Sequence, residues 1–242
     1  MEPDAAPLPD DWTTALAVAA HPDDLEYGVS AAVAAWTAAG RRVAYLLVTR
    51  GEAGIATMPP DAAGPAREAE ERASAAEVGV EDVRFLDHPD GVVVEGVALR
   101  RDIARVVRQV RPELVVALNH AERWPGPDGQ PVGWNSADHR AVGRATIDAV
   151  GEAGNRWLHP ELAAEGLEPH EVRHLVVGHS PTGRHAVDVT GHVERAIASL
   201  TCHRCYLEAL DDRPVADQAR DVVTRMVGGD TDRPRVSFEL VF

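Results

Sequence analysis

Short apolar runs recur along this chain, and between them lie longer stretches in which alanine, valine and charged residues follow helical spacing. Thr14 to Ala20, Arg42 to Thr49, Val83 to Leu86, Leu114 to Leu118 and Arg173 to Gly178 are short and rich in Val, Leu and Ala, so they read as buried strands. Glu26 to Ala39, Arg67 to Val78, Val97 to Arg111 and Arg140 to Glu152 read as the intervening helices, the third stopped by Pro112. Beyond them, Ala186 to Val189 reads as a short edge strand, Gly191 to Leu210 and Asp217 to Met226 as helices, and Val236 to Phe242 as a final strand. Regular alternation of strand and helix predicts an α/β protein, a Rossmann-like three-layer fold with a mostly parallel sheet flanked by helices.

Two stretches break the rhythm. The loop Arg50-Gly51-Glu52-Ala53-Gly54 runs on through a Pro/Gly-bearing excursion to Pro65, and Asn119 to Asn135 contains Trp124-Pro125-Gly126-Pro127-Asp128-Gly129. Both follow strands and should lie over the ligand-binding end of the sheet, where long loops are often functional. His88-Pro89-Asp90-Gly91 carries a Pro-Asp-Gly turn signature and reads as a loop wall.

The 242 residues are 45% hydrophobic, enough for one sizeable core, so residues 1–242 are expected to form a single domain with an acidic, proline-bearing, flexible segment at 1–12. A formal charge of -15 argues against binding nucleic acid or anionic membrane and favours a small-molecule partner, and it is compatible with a homo-oligomer. With no signal-peptide pattern and no apolar run near the ~18 residues of a membrane span, the expected location is cytoplasmic. The only cysteines, Cys202 and Cys205, form a lone C-x-x-C without the second pair of a zinc site, so they read as ordinary intracellular thiols.

The chemistry concentrates where the first strand ends. His21-Pro22-Asp23-Asp24-Leu25-Glu26 places one imidazole and three carboxylates within six residues, in the turn between strand and helix. His21 and Asp24 offer the N/O set that a divalent metal accepts, and Pro22 stiffens the turn. Asp23 is then the adjacent base, able to take a proton from water polarised by the metal. The plainer reading makes the motif a polar turn whose aspartate caps the helix. A dinucleotide-binding fold would carry G-x-G-x-x-G at this turn, so the motif argues against a nicotinamide or flavin role.

Ala20-His21-Pro22-Asp23-Asp24, Thr49-Arg50-Gly51-Glu52-Ala53-Gly54, Arg67 with Glu70, Pro89-Asp90-Gly91 and Asp138-His139-Arg140-Ala141-Val142-Gly143 resemble, in order and spacing, the PIG-L or LmbE-like family of zinc-dependent N-deacetylases. The similarity covers about residues 14 to 205. It implies that His21, Asp24 and His139 hold the metal, zinc or ferrous iron, and that Asp23 is the general base. Arg67 is implied on the substrate side, and Asp138 and Ser136 are placed there too. Asp138 reads either as a partner to a ligand histidine or as a helix cap.

One departure matters. The family frequently has a histidine three positions before the last ligand, placed to stabilise the oxyanion, and this chain has Ser136 there. His120, directly after the fourth strand, is the expected replacement. The implied activity is metal-dependent removal of an acetyl group from an N-acetylglucosamine-type small molecule. The alternatives are an amidase on a thiol conjugate or natural-product intermediate, and a non-catalytic binding member of the fold.

Overall fold

The computed structural model describes residues 5–125, 130–229 and 232–242. In chain order the elements are β1 (Ala6–Pro7), β2 (Thr14–Ala19), α1 (Ser30–Ala38), β3 (Arg42–Leu47), α2 (Pro60–Glu77), β4 (Asp82–Phe85), α3 (Val97–Val110) and β5 (Leu114–Ala117). There follow β6 (Arg123–Pro125), β7 (Pro131–Trp134), α4 (Ala137–Gly154), α5 (Pro160–Ala164), β8 (His174–Gly178), β9 (His185–Asp188), α6 (Val193–Thr201), α7 (Arg204–Leu210), α8 (Val215–Met226) and β10 (Arg235–Leu240).

Eight strands form one sheet in the order β1-β9-β10-β8-β5-β2-β3-β4, and β6 and β7 pair separately. Among the eight, only β10 runs antiparallel to its neighbours, β8 and β9. Both faces of the sheet are covered, as a parallel sheet requires. Alternate residues of β2 divide between the layers: Ala15, Ala17 and Ala19 pack toward α1 and α6, while Leu16 and Val18 pack toward α3 and α4. That is the three-layer α/β architecture expected from the strand-helix alternation.

β2 is the pivot. The chain leaves it through α1 to β3 and β4 on one side, and then α3 crosses back to β5 on the other. At such a switch point the connections after two adjacent strands diverge and leave a crevice at their carboxyl ends. The turn at His21 and the segment at Asn119 meet there.

Several elements depart from the sequence reading, each for a local reason. The first helix starts at Ser30, not Glu26, because Asp23 takes a left-handed φ of 87° and the Leu25 carbonyl accepts from the N–H groups of Gly28, Val29 and Ser30. α2 begins at Pro60, well before Arg67, since Pro60 occupies a first-turn position where its missing N–H has no cost and Pro65 follows only one turn later. The helix expected over Gly191 to Leu210 breaks at Cys202 and His203, which turns the His203 side chain fully inward.

The loop expected from Asn119 to Asn135 contains the β6–β7 hairpin, in which Arg123 pairs with Trp134. Residues 126–129 of the Trp124 to Gly129 stretch lie outside the described residues. The described part of the segment expected to be flexible is tied down: Ala6 and Pro7 pair with His185 and Ala186, and Trp12 is buried against Trp36 beneath the Arg41 guanidinium. Aromatic burial outweighs the proline content there.

Candidate metal centre and active site

The turn after β2 and the first turn of α4 come together at the carboxyl end of the sheet. His139 Nε2 lies 2.9 Å from Asp24 Oδ1 and 3.2 Å from His21 Nδ1. His21 Nδ1 is 3.4 Å from Asp24 Oδ2. One donor atom from each of the three residues lies within 4.8 Å of the other two, close enough for a single cation to draw on all three.

The groups behind these donors fix their orientation. Asp24 Oδ2 accepts the backbone N–H of Ala20 at 3.1 Å and of His21 at 2.8 Å, which leaves Oδ1 facing His139. His139 Nδ1–H donates to Asn135 Oδ1 at 2.9 Å. His21 Nε2 faces two carboxylates, Asp90 Oδ1 at 3.0 Å and Asp138 Oδ2 at 3.2 Å. Each histidine therefore turns one nitrogen to the centre and anchors the other on an oxygen, the arrangement that raises ligand basicity at metal sites.

Electrostatics point the same way. Burial presses the His21 imidazole down, but Asp24, Asp138 and Asp90 overcome it and push the group up to about 12. Burial also acts to raise Asp24, yet His139 and His21 hold it well below the usual carboxylate range. A pocket that favours positive charge this strongly is suited to a divalent cation.

Asp23 stands beside this cluster without joining it. It is buried, and its Oδ2 has no hydrogen-bond partner, only the Arg67 guanidinium at 3.2 Å. Burial lifts its carboxyl to about 7, against the pull of Arg67. Beyond Asp23, Asp24 and His139 opens a cavity of about 270 Å³ whose other walls include Leu25, Tyr27, Val29, Trp124, His179 and Tyr206. Its size lies near the lower end of the roughly 300–1,000 Å³ typical of small-molecule sites.

The remaining expected residues are placed as follows. Asp138 is buried and accepts from Gly91 N–H at 2.7 Å and Val93 N–H at 3.1 Å besides facing His21. It is Ser136, not Asp138, that caps α4, its Oγ accepting the His139 N–H at 3.1 Å. Arg67, expected on the substrate side, is buried; its guanidinium donates to the carbonyls of Gly51 and Pro22 and stacks on Tyr206. Gly51 and Gly54 make room for it, since a Cβ at either would collide with Nη1.

His120 is not among the residues lining the cavity. Asn119 is, whereas His120 packs on Gly143 of α4. His179 lies on the cavity wall instead, with its Nε2 buried and unpartnered.

Four groups received no role from the sequence, half-buried Asp90 and fully enclosed or nearly enclosed Glu26, Glu71 and His203. Asp90 sat in a motif read as a turn. Glu26, Glu71 and His203 form a second cluster behind Asp23. Burial raises the Glu71 carboxyl well above the usual range, with Glu26 adding to it. Burial lowers His203, but Glu26, Glu71 and Asp23 carry it up to about 9.

Comparison with known proteins bears on this geometry. The family profile described as PIG-L, GlcNAc-PI de-N-acetylase, matches residues 16–150. Diacetylchitobiose deacetylase of Thermococcus kodakarensis is 28% identical over 192 residues, covering 78% of this chain and 68% of the relative. A 1D-myo-inositol 2-acetamido-2-deoxy-alpha-D-glucopyranoside deacetylase of Kineococcus radiotolerans is 33% identical over 172 residues, covering 57% of this chain but only 45% of the relative. The solved N,N'-diacetylchitobiose deacetylase of Pyrococcus horikoshii superposes with a TM-score of 0.81 at 20% identity, over 96% of this chain and 84% of that one. At that identity the superposition establishes the shared fold.

Proposed function

The chain belongs to the PIG-L family, and on that premise we propose that it is a metal-dependent hydrolase that removes an acetyl group from the amide nitrogen of an N-acetylglucosamine-type small molecule. The observation that carries this reading is the convergence of His21 Nδ1, Asp24 Oδ1 and His139 Nε2 beside a buried Asp23 carboxyl whose Oδ2 makes no hydrogen bond, on the wall of one cavity. The named relatives, which deacetylate amino sugars, support the substrate class.

His21, Asp24 and His139 would hold the ion, and their N/O set suits zinc, with ferrous iron accepted by the same donors. When bound, the ion supplies Lewis-acid polarisation to the amide carbonyl. The protein's own groups do the rest. Asp23 Oδ2 takes a proton from the attacking water and passes it to the departing nitrogen, and a carboxyl near 7 suits both transfers. Asp90, Asp138 and Asn135 keep the two imidazoles oriented. Apolar and aromatic walls exclude bulk water and strengthen the charges within.

Ser136 favours one rival, a member of the fold that binds but does not turn over, because its hydroxyl is engaged at the start of α4. Metal analysis and an acetate-release assay on N-acetylated amino sugars separate the two. We expect about one divalent ion per chain, lost in His21→Ala, Asp24→Ala and His139→Ala. Asp23→Asn should keep the ion and lose roughly 10²- to 10⁴-fold in turnover. Full occupancy in all three alanine variants would rule out the centre, and a metal-loaded wild type that releases no acetate from any acyl amide would favour the binding reading.

A further inference from the structure

The peptide group joining Pro22 to Asp23 is held from both sides. Arg67 Nη2 donates to the Pro22 carbonyl at 2.6 Å, and the Asp23 N–H donates to Glu71 Oε2 at 3.1 Å. Arg67 and Glu71 are one turn apart on α2, so their side chains leave the same face of that helix. Both are buried. The peptide they hold leads into Asp23, whose φ of 87° is a strained conformation that L residues rarely adopt. Such a conformation persists only where its surroundings over-determine it.

We propose that α2 is a clamp on the Pro22–Asp23 peptide, with Glu71 a positioning residue that keeps the Asp23 carboxyl aimed at the reacting centre. The proposal rests on the reading of Asp23 as general base. Glu71 is itself held from behind. His203 Nε2 lies 3.7 Å from Glu71 Oε2 and 3.5 Å from Glu26 Oε2. Glu26 Oε1 accepts from Ser74 Oγ at 2.8 Å, and Ser74 and Ser199 share a hydrogen bond of 2.7 Å. The layer thus ties the clamp to α6 and to the turn that carries the base. An imidazole between two buried carboxyl groups offsets the charge they would otherwise leave unpaired. What the Asp23 N–H requires of Glu71 is an acceptor oxygen, which an amide also offers.

Glu71→Met and Glu71→Gln, assayed with Asp23→Asn on the same N-acetylated amino sugar, test this. Glu71→Met removes the acceptor at similar length. It should lower kcat by about 10²-fold, as small misplacements of a reacting group do, while KM stays within about twofold. Metal content should stay at wild-type level while Tm falls, because the buried Asp23 N–H loses its acceptor and His203 loses one of its two carboxyl partners. Glu71→Gln should recover at least about tenfold of the lost kcat.

Wild-type kcat in Glu71→Met, or a Glu71→Gln protein as slow as Glu71→Met, would overturn the clamp. Loss of a second metal equivalent in either variant would overturn it too, by making Glu26, Glu71 and His203 an internal metal site. So would failure of both Glu71→Met and Glu71→Leu to fold, since Glu71 would then be a requirement of the fold. Undiminished hydrolysis in Asp23→Asn instead defeats the general-base reading, whatever the Glu71 variants do.

Discussion

His179 and His120 both lie at the carboxyl end of the sheet, and of the two only His179 lines the cavity. Burial holds the His179 imidazole below its ordinary value, so near neutral pH the ring on the cavity wall is uncharged. We expect His179→Ala to lower turnover by about 10²-fold, the usual loss when one oxyanion donor is removed, with metal content unchanged. His120→Ala should leave turnover within about threefold of wild type on the same scale. Steady-state kinetics with metal analysis decide between them, and the reverse ranking would restore the sequence-based choice. The candidate metal centre was legible because His21, Asp23 and Asp24 sit in one turn. His179, Glu71 and His203 were not, because their meaning lies in what faces them across the fold.

Among the elements, α4 places His139, and its distance from β5 is set by Gly143. A Cβ at that position would stand 2.5 Å from the Leu118 carbonyl oxygen and 2.7 Å from the His120 Cβ. Gly143→Ala must therefore push α4 away from the end of β5. Overpacking of this kind typically costs about 1–3 kcal/mol, and because His139 lies one turn earlier on the helix, metal affinity should fall with stability. Denaturant unfolding and metal titration of the same variant check both effects; wild-type values for each would show that the helix shifts without strain. The existence and order of the main strands and helices followed from their apolar spacing. Where they start did not, since α1 is delayed by the left-handed Asp23 and α6 is separated from α7 by an inward histidine, neither of which leaves a periodic trace.

For the whole molecule, the enclosed Glu71–His203 layer makes stability depend on pH. His203 is raised from 6.5 to about 9, so its contribution is complete below 6.5 and is lost as pH rises through about 9. The raised Glu71 carboxyl acts with the same sign, starting from its ordinary 4.5. We expect unfolding free energy to fall by on the order of 3 kcal/mol across the His203 window. Urea titrations at a series of pH values should show this slope, and His203→Gln should flatten it whatever that variant's absolute stability. An unchanged slope would mean that the imidazole is not charged in the folded protein.

Enclosure also bears on time. His203 is 0% exposed, and its side chain faces Glu71 of α2 and Glu26 in the turn after Asp23. A proton can reach or leave it only when that packing parts, and such openings in well-packed regions are infrequent. A jump in pH would thus be felt at once by the surface carboxylates and only later by this layer, so that for an interval the protein keeps the internal charge of the solution it came from.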